Sequence, residues 1–204
     1  MKILLLDNYV DHAKFTPQMD NLCAQIEKNC LAETKRIVYE DFDVTYVRGK
    51  TSEFDAIIMS GSEALYSKSE DKGKFSKAIE ATREVQVPLL GICGGHQLIG
   101  MAYGEQVVAM DKSIKGYRDV EVLIGDPLFE DLPRMISVTE SHQEMVERVP
   151  KGFTLLARSE DTPIEAFRGS NRILYGIQFH PERNDGEHPA GATVLRNFGQ
   201  MVKR

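Results

Sequence analysis

Three side chains of this 204-residue chain could together make and break a covalent bond: Cys93, His180 and Glu182. Cys93 lies in Gly91-Ile92-Cys93-Gly94-Gly95, after the short apolar run Pro88 to Ile92 and before a helical pattern with Gln97, Leu98, Ile99, Met101 and Ala102. A nucleophile flanked by glycines between a strand and a helix has the pattern of a nucleophile elbow, here with sulfur in place of a serine oxygen. The glycines answer crowding: so tight a turn brings backbone against backbone beside the nucleophile, where a Cβ would clash. The turn also puts Cys93 at a helix N-terminus, where free N–H groups and the helix dipole favour thiolate over thiol. Taken alone, Cys93 would equally suit a buried structural cysteine in a parallel strand. The glycine pair and the partners below point to catalysis instead.

Those partners end a later apolar run, Gly176-Ile177-Gln178-Phe179-His180-Pro181-Glu182. Residues two apart on an extended segment point to the same side, so His180 and Glu182 can face one target. Pro181 cannot donate to a sheet ladder, which suits a strand end. A thiol nucleophile needs an imidazole to take its proton, and the imidazole needs a carboxylate to hold its tautomer and stabilise its cation. The other histidines carry less. His96 reads as packing, and His12 and His188 as surface residues. Asp185, Glu187 and His188 are close in sequence, but they fall in a loop-like segment and closeness is not coordination geometry, so no metal is expected.

Strands and helices alternate through the first half of the chain. Ile3 to Leu6, Phe54 to Met59 and Pro88 to Ile92 read as buried strands. Thr16-Pro17 predicts a helix start, with Met19, Leu22, Cys23, Ile26 and Cys30 on its core face. Arg36 to Val47 predicts one or two β-rich pieces, Glu63 to Gly73 a solvated loop or lid, and Lys74 to Val85 a helix. This order gives a parallel sheet with right-handed crossovers. Beyond Tyr103, short β-like pieces follow with little helix between them: Val107-Val108, Val120 to Ile124, Ile136 to Val138, Phe153 to Ala157, Ile164 to Phe167 and Ile173 to Phe179. They predict an antiparallel excursion on the edge of the parallel core. A last helix carries Val194, Leu195, Phe198, Met201 and Val202.

The length suits one domain over residues 1–204. A net charge of −6 without a basic block argues against nucleic acid or an acidic membrane as partner. Three cysteines at no metal-ligand spacing fit a reduced compartment. No run has the length of a membrane span, and the N-terminal strand lacks the apolar stretch of a signal peptide, so a cytoplasmic protein is expected.

The two motifs together resemble the class I, triad-type glutamine amidotransferases. The family's Gly-x-Cys-x-Gly-x-Gln is met by Gly91, Cys93, Gly95 and Gln97, and its His-x-Glu by His180 and Glu182. Glu140-Ser141-His142, Leu155 to Glu160, Pro163 to Ala166, Tyr175 to Glu182 and Leu195 to Phe198 are most similar to the free-standing amidotransferase subunits of GMP synthetases. Three stretches depart from the pattern. Ser60-Gly61-Ser62-Glu63 replaces Ser-Gly-Gly-Pro, Ser141-His142-Gln143-Glu144 replaces Ser-His-x-Asp, and Asp7-Asn8-Tyr9-Val10-Asp11-His12 replaces an opening loop like Asn-Gly-Gly-Gln.

The resemblance implies a flavodoxin-like α/β fold, mostly parallel, with the antiparallel excursion. It implies that Cys93 attacks the side-chain amide of glutamine. Gly94 N–H, with Ser62 or Gly61 N–H, would form the oxyanion hole. Gln97, Ser141 and His142 match positions near the bound glutamine. The chain has no phosphate-cradling loop and no ATP-pyrophosphatase motif, so no cofactor is expected on it, and ATP and Mg would belong to a separate ATP-dependent synthetase that takes the ammonia. The acceptor most in keeping with the resemblance is XMP. The alternatives are a self-contained γ-glutamyl hydrolase, an amidotransferase subunit for another acceptor, or a binding module that kept the fold.

Overall fold

The computed structural model describes residues 1–204 and places the apolar runs in one nine-stranded sheet, ordered β2-β1-β3-β4-β9-β8-β7-β5-β6. The strands are β1 (Lys2–Asp7), β2 (Glu33–Val38), β3 (Ala56–Met59), β4 (Leu89–Ile92), β5 (Val107–Val122), β6 (Met135–Val146), β7 (Phe153–Arg158), β8 (Ala166–Gly169) and β9 (Leu174–Ile177). From β2 to β9 all pairings are parallel; from β9 through β8, β7 and β5 to β6 all are antiparallel. The helices are α1 (His12–Cys30), α2 (Val44–Lys50), α3 (Ser69–Lys74), α4 (Ser76–Glu84), α5 (Gly94–Ala102) and α6 (Ala190–Lys203).

Central parallel strands are covered on both faces, which is why they read as unbroken apolar runs. Along β1, Ile3 and Leu5 join a core with Met19, Leu22 and Ile26 of α1 and Val194, Leu195 and Phe198 of α6. Leu4 and Leu6 join the opposite core, with Ala78 and Ala81 of α4 and Leu98 and Ile99 of α5.

Several boundaries differ from the sequence expectation. The first helix begins at His12, one turn before Thr16-Pro17, because the Asp11 side chain accepts from Lys14 N at 3.0 Å and caps it there. Pro17 therefore lies inside α1. Arg36 to Val47 holds the end of β2, a 3₁₀ turn over Tyr39–Asp41 and the start of α2. Asp43 caps α2 through Tyr46 N at 2.8 Å, overriding the β preference of Val44, Tyr46 and Val47. The segment expected as a loop, Glu63 to Gly73, contains most of the short α3. Val107 to Val122 is one strand with a register shift between Ala109 and Ile114, its middle too exposed to show an apolar run. Cys30 is buried in the core, whereas Cys23 is only half-buried, its sulfur 2.7 Å from Thr34 Oγ1.

Candidate active site

Cys93 ends β4 and precedes α5 with φ 50° and ψ −101°, a backbone conformation costly for a residue with a Cβ. The turn is as crowded as the glycine pattern implies. A Cβ on Gly91 would lie 2.5 Å from the Gly95 carbonyl carbon, and one on Gly95 would lie 2.6 Å from the Met59 Cβ. Cys93 N–H bonds the Ile177 carbonyl at 2.8 Å, and Gly95 N–H the Ser60 carbonyl at 3.0 Å. The elbow is thus pinned between β9 and the loop after β3. Gly94 N–H belongs to the first turn of α5, which has no intrahelical acceptor.

His180 and Glu182 follow β9 as expected, but Glu182 lies in the 3₁₀ turn Pro181–Arg183 rather than on an extended segment, and the turn brings it back to His180. The His180 N–H bonds the Thr139 carbonyl of β6 at 2.8 Å. His180 Nδ1 lies 2.7 Å from Glu182 Oε1, which leaves Nε2 for a partner on the other side. Both side chains are buried. Burial works against the imidazolium, but the Glu182 carboxylate and the Cys93 sulfur outweigh it and raise His180 well above the ordinary histidine value. Burial would likewise raise Glu182, yet His180 and Arg183 hold it below the usual carboxylate range. Gly61 marks where the parts converge. A Cβ there would lie 3.0 Å from His180 Cε1, 3.4 Å from the Tyr9 hydroxyl and 3.7 Å from Cys93 Cβ.

The other expected residues gather at the same cleft, of about 230 Å³, lined among others by Ser62, Cys93, Gln97, Ser141, His142 and His180. A Cβ on Gly94 would lie 2.8 Å from Ser62 N, so the two proposed oxyanion donors are in backbone contact. Gln97 Nε2 donates to the Glu144 carbonyl at 2.9 Å and to Gln178 Oε1 at 3.3 Å. The Ser141 carbonyl is 4.0 Å from Cys93 Sγ. His142 lines the cleft, but both its ring nitrogens face protein groups, Nδ1 the Glu144 carbonyl at 3.0 Å and Nε2 the Glu140 carboxyl at 3.1 Å.

Four residues with no role in the sequence reading also shape this site. Gln178 Nε2 donates to Cys93 Sγ at 3.6 Å; its signal was a lone amide inside a buried apolar run. The Tyr9 hydroxyl sits beside the dyad, and burial raises its pKa. The Glu63 carboxylate accepts from Val10 N and, at 2.8 Å, from Asp11 N, tying the opening loop to the loop after β3. Glu144 binds Ser67 N and its hydroxyl, closing that loop onto β6. These contacts join residues far apart in sequence and have no local pattern.

The remaining histidines have other occupations. His96 is wholly buried and stacks on Phe167 at 4.3 Å; burial lowers its pKa to about 3. His12 is half-buried rather than at the surface, Nδ1 lying 3.0 Å from the buried Asp7 carboxylate and Nε2 3.3 Å from Glu40. His188 is also partly covered, stacked on Tyr117 at 3.6 Å. Asp185 folds back on its own loop, accepting from His188 N at 2.7 Å and from the Tyr117 hydroxyl at 2.6 Å. No group of three or more His, Cys, Asp or Glu side chains converges as a metal site, and no helix is long and apolar enough to cross a membrane.

A cysteine on a strained strand-to-helix turn, beside a buried His–Glu pair at the end of a parallel sheet, is an arrangement that suits a cysteine nucleophile. The family model for class-I glutamine amidotransferases matches residues 18–201, and the chain belongs to that family. Among its relatives is a glutamine-hydrolyzing GMP synthase subunit of Pyrococcus furiosus, 41% identical over 145 residues, spanning 71% of this chain and 74% of the relative. The corresponding protein of Methanocaldococcus jannaschii is 36% identical over 146 residues, 72% of this chain and 73% of the relative. A solved structure from Thermoplasma acidophilum, assigned as a GMP synthase subunit, superposes with a TM-score of 0.82 at 26% identity, covering 100% of this chain and 94% of the other.

Proposed function

We propose that residues 1–204 form one glutaminase unit that supplies ammonia to a separate ATP-dependent synthetase, as the amidotransferase half of a GMP synthetase that aminates XMP. The observation that carries the chemistry is the 2.7 Å contact of His180 Nδ1 with Glu182, both buried beside the strained Cys93 elbow. His180, held as imidazolium by Glu182, carries the proton of the Cys93 thiol, and the thiolate attacks the δ-carbon of glutamine. The C=O bond opens to an oxyanion, received by Gly94 N–H and by Ser62 or Gly61 N–H. Collapse breaks the C–N bond, and His180 passes its proton to the departing nitrogen, which leaves as ammonia. Water, deprotonated by His180, then cleaves the γ-glutamyl thioester to glutamate and restores the thiol. Gln97 lies near the bound glutamine, and Ser141 and His142 line its amino-acid end.

Ammonia made without an acceptor is lost, so such a subunit gains from being slow alone. The synthetase would bind the cleft mouth, near Glu63 to Gly73 and Asp185 to Pro189, and favour the competent arrangement of Gly61 and Ser62. A tenfold stimulation needs about 1.4 kcal/mol of differential binding. ATP and Mg would act on the synthetase, in a reduced, cytoplasmic setting. The test is glutamate release by the isolated chain, then with a GMP synthetase ATP-pyrophosphatase subunit, ATP, Mg and XMP. Stimulation with GMP formed is expected. Full activity alone, indifferent to the synthetase, would favour a self-contained γ-glutamyl hydrolase.

A further inference from the structure

The inward row of β6 runs Ile136, Val138, Glu140, His142, Glu144, Val146, so polar side chains interrupt a buried apolar row. Glu140 is 1% exposed, and the fully buried Glu165, which leads into β8, comes within hydrogen-bond reach of it. Ser159 Oγ donates to Glu165 Oε1 at 2.7 Å while accepting from Thr162 N at 2.9 Å. At the far end His142 Nδ1 is 3.0 Å from the Glu144 carbonyl, a pure acceptor, so Nδ1 carries the ring proton. Nε2 then turns a lone pair toward Glu140 Oε2, 3.1 Å away.

Between these ends Glu140 Oε1 and Oε2, Glu165 Oε2 and His142 Nε2 are all buried without a hydrogen-bond partner. So many orphaned acceptors in one place are rare in a folded protein. Two adjacent buried carboxylates cannot both ionise, and protons shared among the three side chains supply the missing donors. The other groups facing the cluster are Arg118 of β5, Asp161 between β7 and β8, His180, and His96 of α5. Arg118 lies 3.8 Å from Asp161, and His96 is held neutral by burial.

We propose that Glu165, Glu140 and His142 form a net-neutral chain of shared protons, running from Ser159 to the Glu144 carbonyl, that holds the wall of the glutamine cleft in its binding shape. None of the three reacts; they are positioning residues. The Glu144 carbonyl also receives Gln97 Nε2, and the Glu144 carboxylate holds Ser67, so loosening one end of the chain frees the cleft wall. Burial raises Glu140 to about 7. Its ionisation removes the proton facing His142 and breaks the chain.

The glutamine-affinity part of this proposal rests on the glutaminase reading, whereas the protonation part does not. Hydrogen–deuterium difference infrared spectra of the full chain at pH 6 should show protonated-carboxyl carbonyl bands that Glu140→Gln and Glu165→Gln each diminish. An amide at position 140 can accept from Glu165 and donate toward His142. The wild type should therefore show a KM for glutamine that rises above pH 7, and E140Q should escape that rise. Glu140→Leu orphans His142 and should raise KM about tenfold with a smaller change in kcat. Spectra without such bands, or an unchanged KM–pH profile in E140Q, would overturn the proposal. Bands present in a chain inert toward glutamine even with the synthetase subunit, ATP, Mg and XMP would support the proton chain and sink the glutaminase reading instead.

Discussion

Two histidines in this molecule stand two residues from a glutamate, both buried, and one pair is ionised where the other is neutral. In His180–Glu182 the histidine is raised and the glutamate lowered, giving an ion pair. In His142–Glu140 burial lowers the histidine and raises the glutamate to about 7, giving a neutral pair. Desolvation penalises the charged form in both pairs, so it does not separate them. The third neighbour does. Cys93 sulfur stands by His180, and Arg183 Nε is 3.5 Å from Glu182, whereas Glu140 stands beside a second buried carboxyl, Glu165, and its charged neighbours do not overcome burial. One pair can give up and regain a proton during turnover, and the other holds its protons in place.

The comparison breaks first at the sulfur. Cys93→Ala should abolish glutamine hydrolysis, and a glutamine-analogue electrophile followed by peptide mass mapping should label Cys93 alone; label on Cys23 or Cys30 would remove the elbow from the chemistry. Next, His180→Ala should lower kcat by about 10⁴ and Glu182→Gln by about 10², since the third triad member orients more than it reacts. His142→Ala should act mainly through KM. Equal kcat losses at both histidines would erase the distinction between the pairs.

Gly61→Ala should come next, lowering kcat about tenfold while Tm stays near the wild-type value. Its Cβ would lie 3.0 Å from His180 Cε1, tighter than most real contacts and close enough to displace the ring. A rate unchanged in that variant would show that the ring moves aside at no cost.

The smallest effect is on stability against pH. Glu140 is raised above its unfolded value, so its contribution is complete below about 4.5 and is lost as pH rises through about 7. Glu182 is lowered, so its contribution is present above the unfolded carboxylate value and is lost as pH falls through its depressed folded value. Thermal melts between these limits should show the wild type declining with rising pH where E140Q declines less. Parallel curves would mean Glu140 is ionised throughout.

Much of the fold was legible because its signals are local. Buried parallel strands read as unbroken apolar runs, and the elbow needs glycines at fixed offsets wherever its residues must touch. Asp11 and Asp43 misled the reading: short side chains that cap a helix move its start by a turn or cancel β preference, and nothing in periodicity weighs that competition. The long β5 was missed because a mostly exposed strand shows no apolar run to find.

At the site, local pattern alone singled out Cys93, His180 and Glu182, the residues proposed to carry the reaction. A nucleophile in a tight turn and a base with its orienter two residues on are covalent neighbourhoods, and their spacing survives any packing. Tertiary structure alone decided the charge of each group. Glu140 and Glu165, or Gln178 and Cys93, meet only when distant strands pair. The electrostatic field at a buried atom is set by whatever lies within a few ångströms, not by what lies next in the chain.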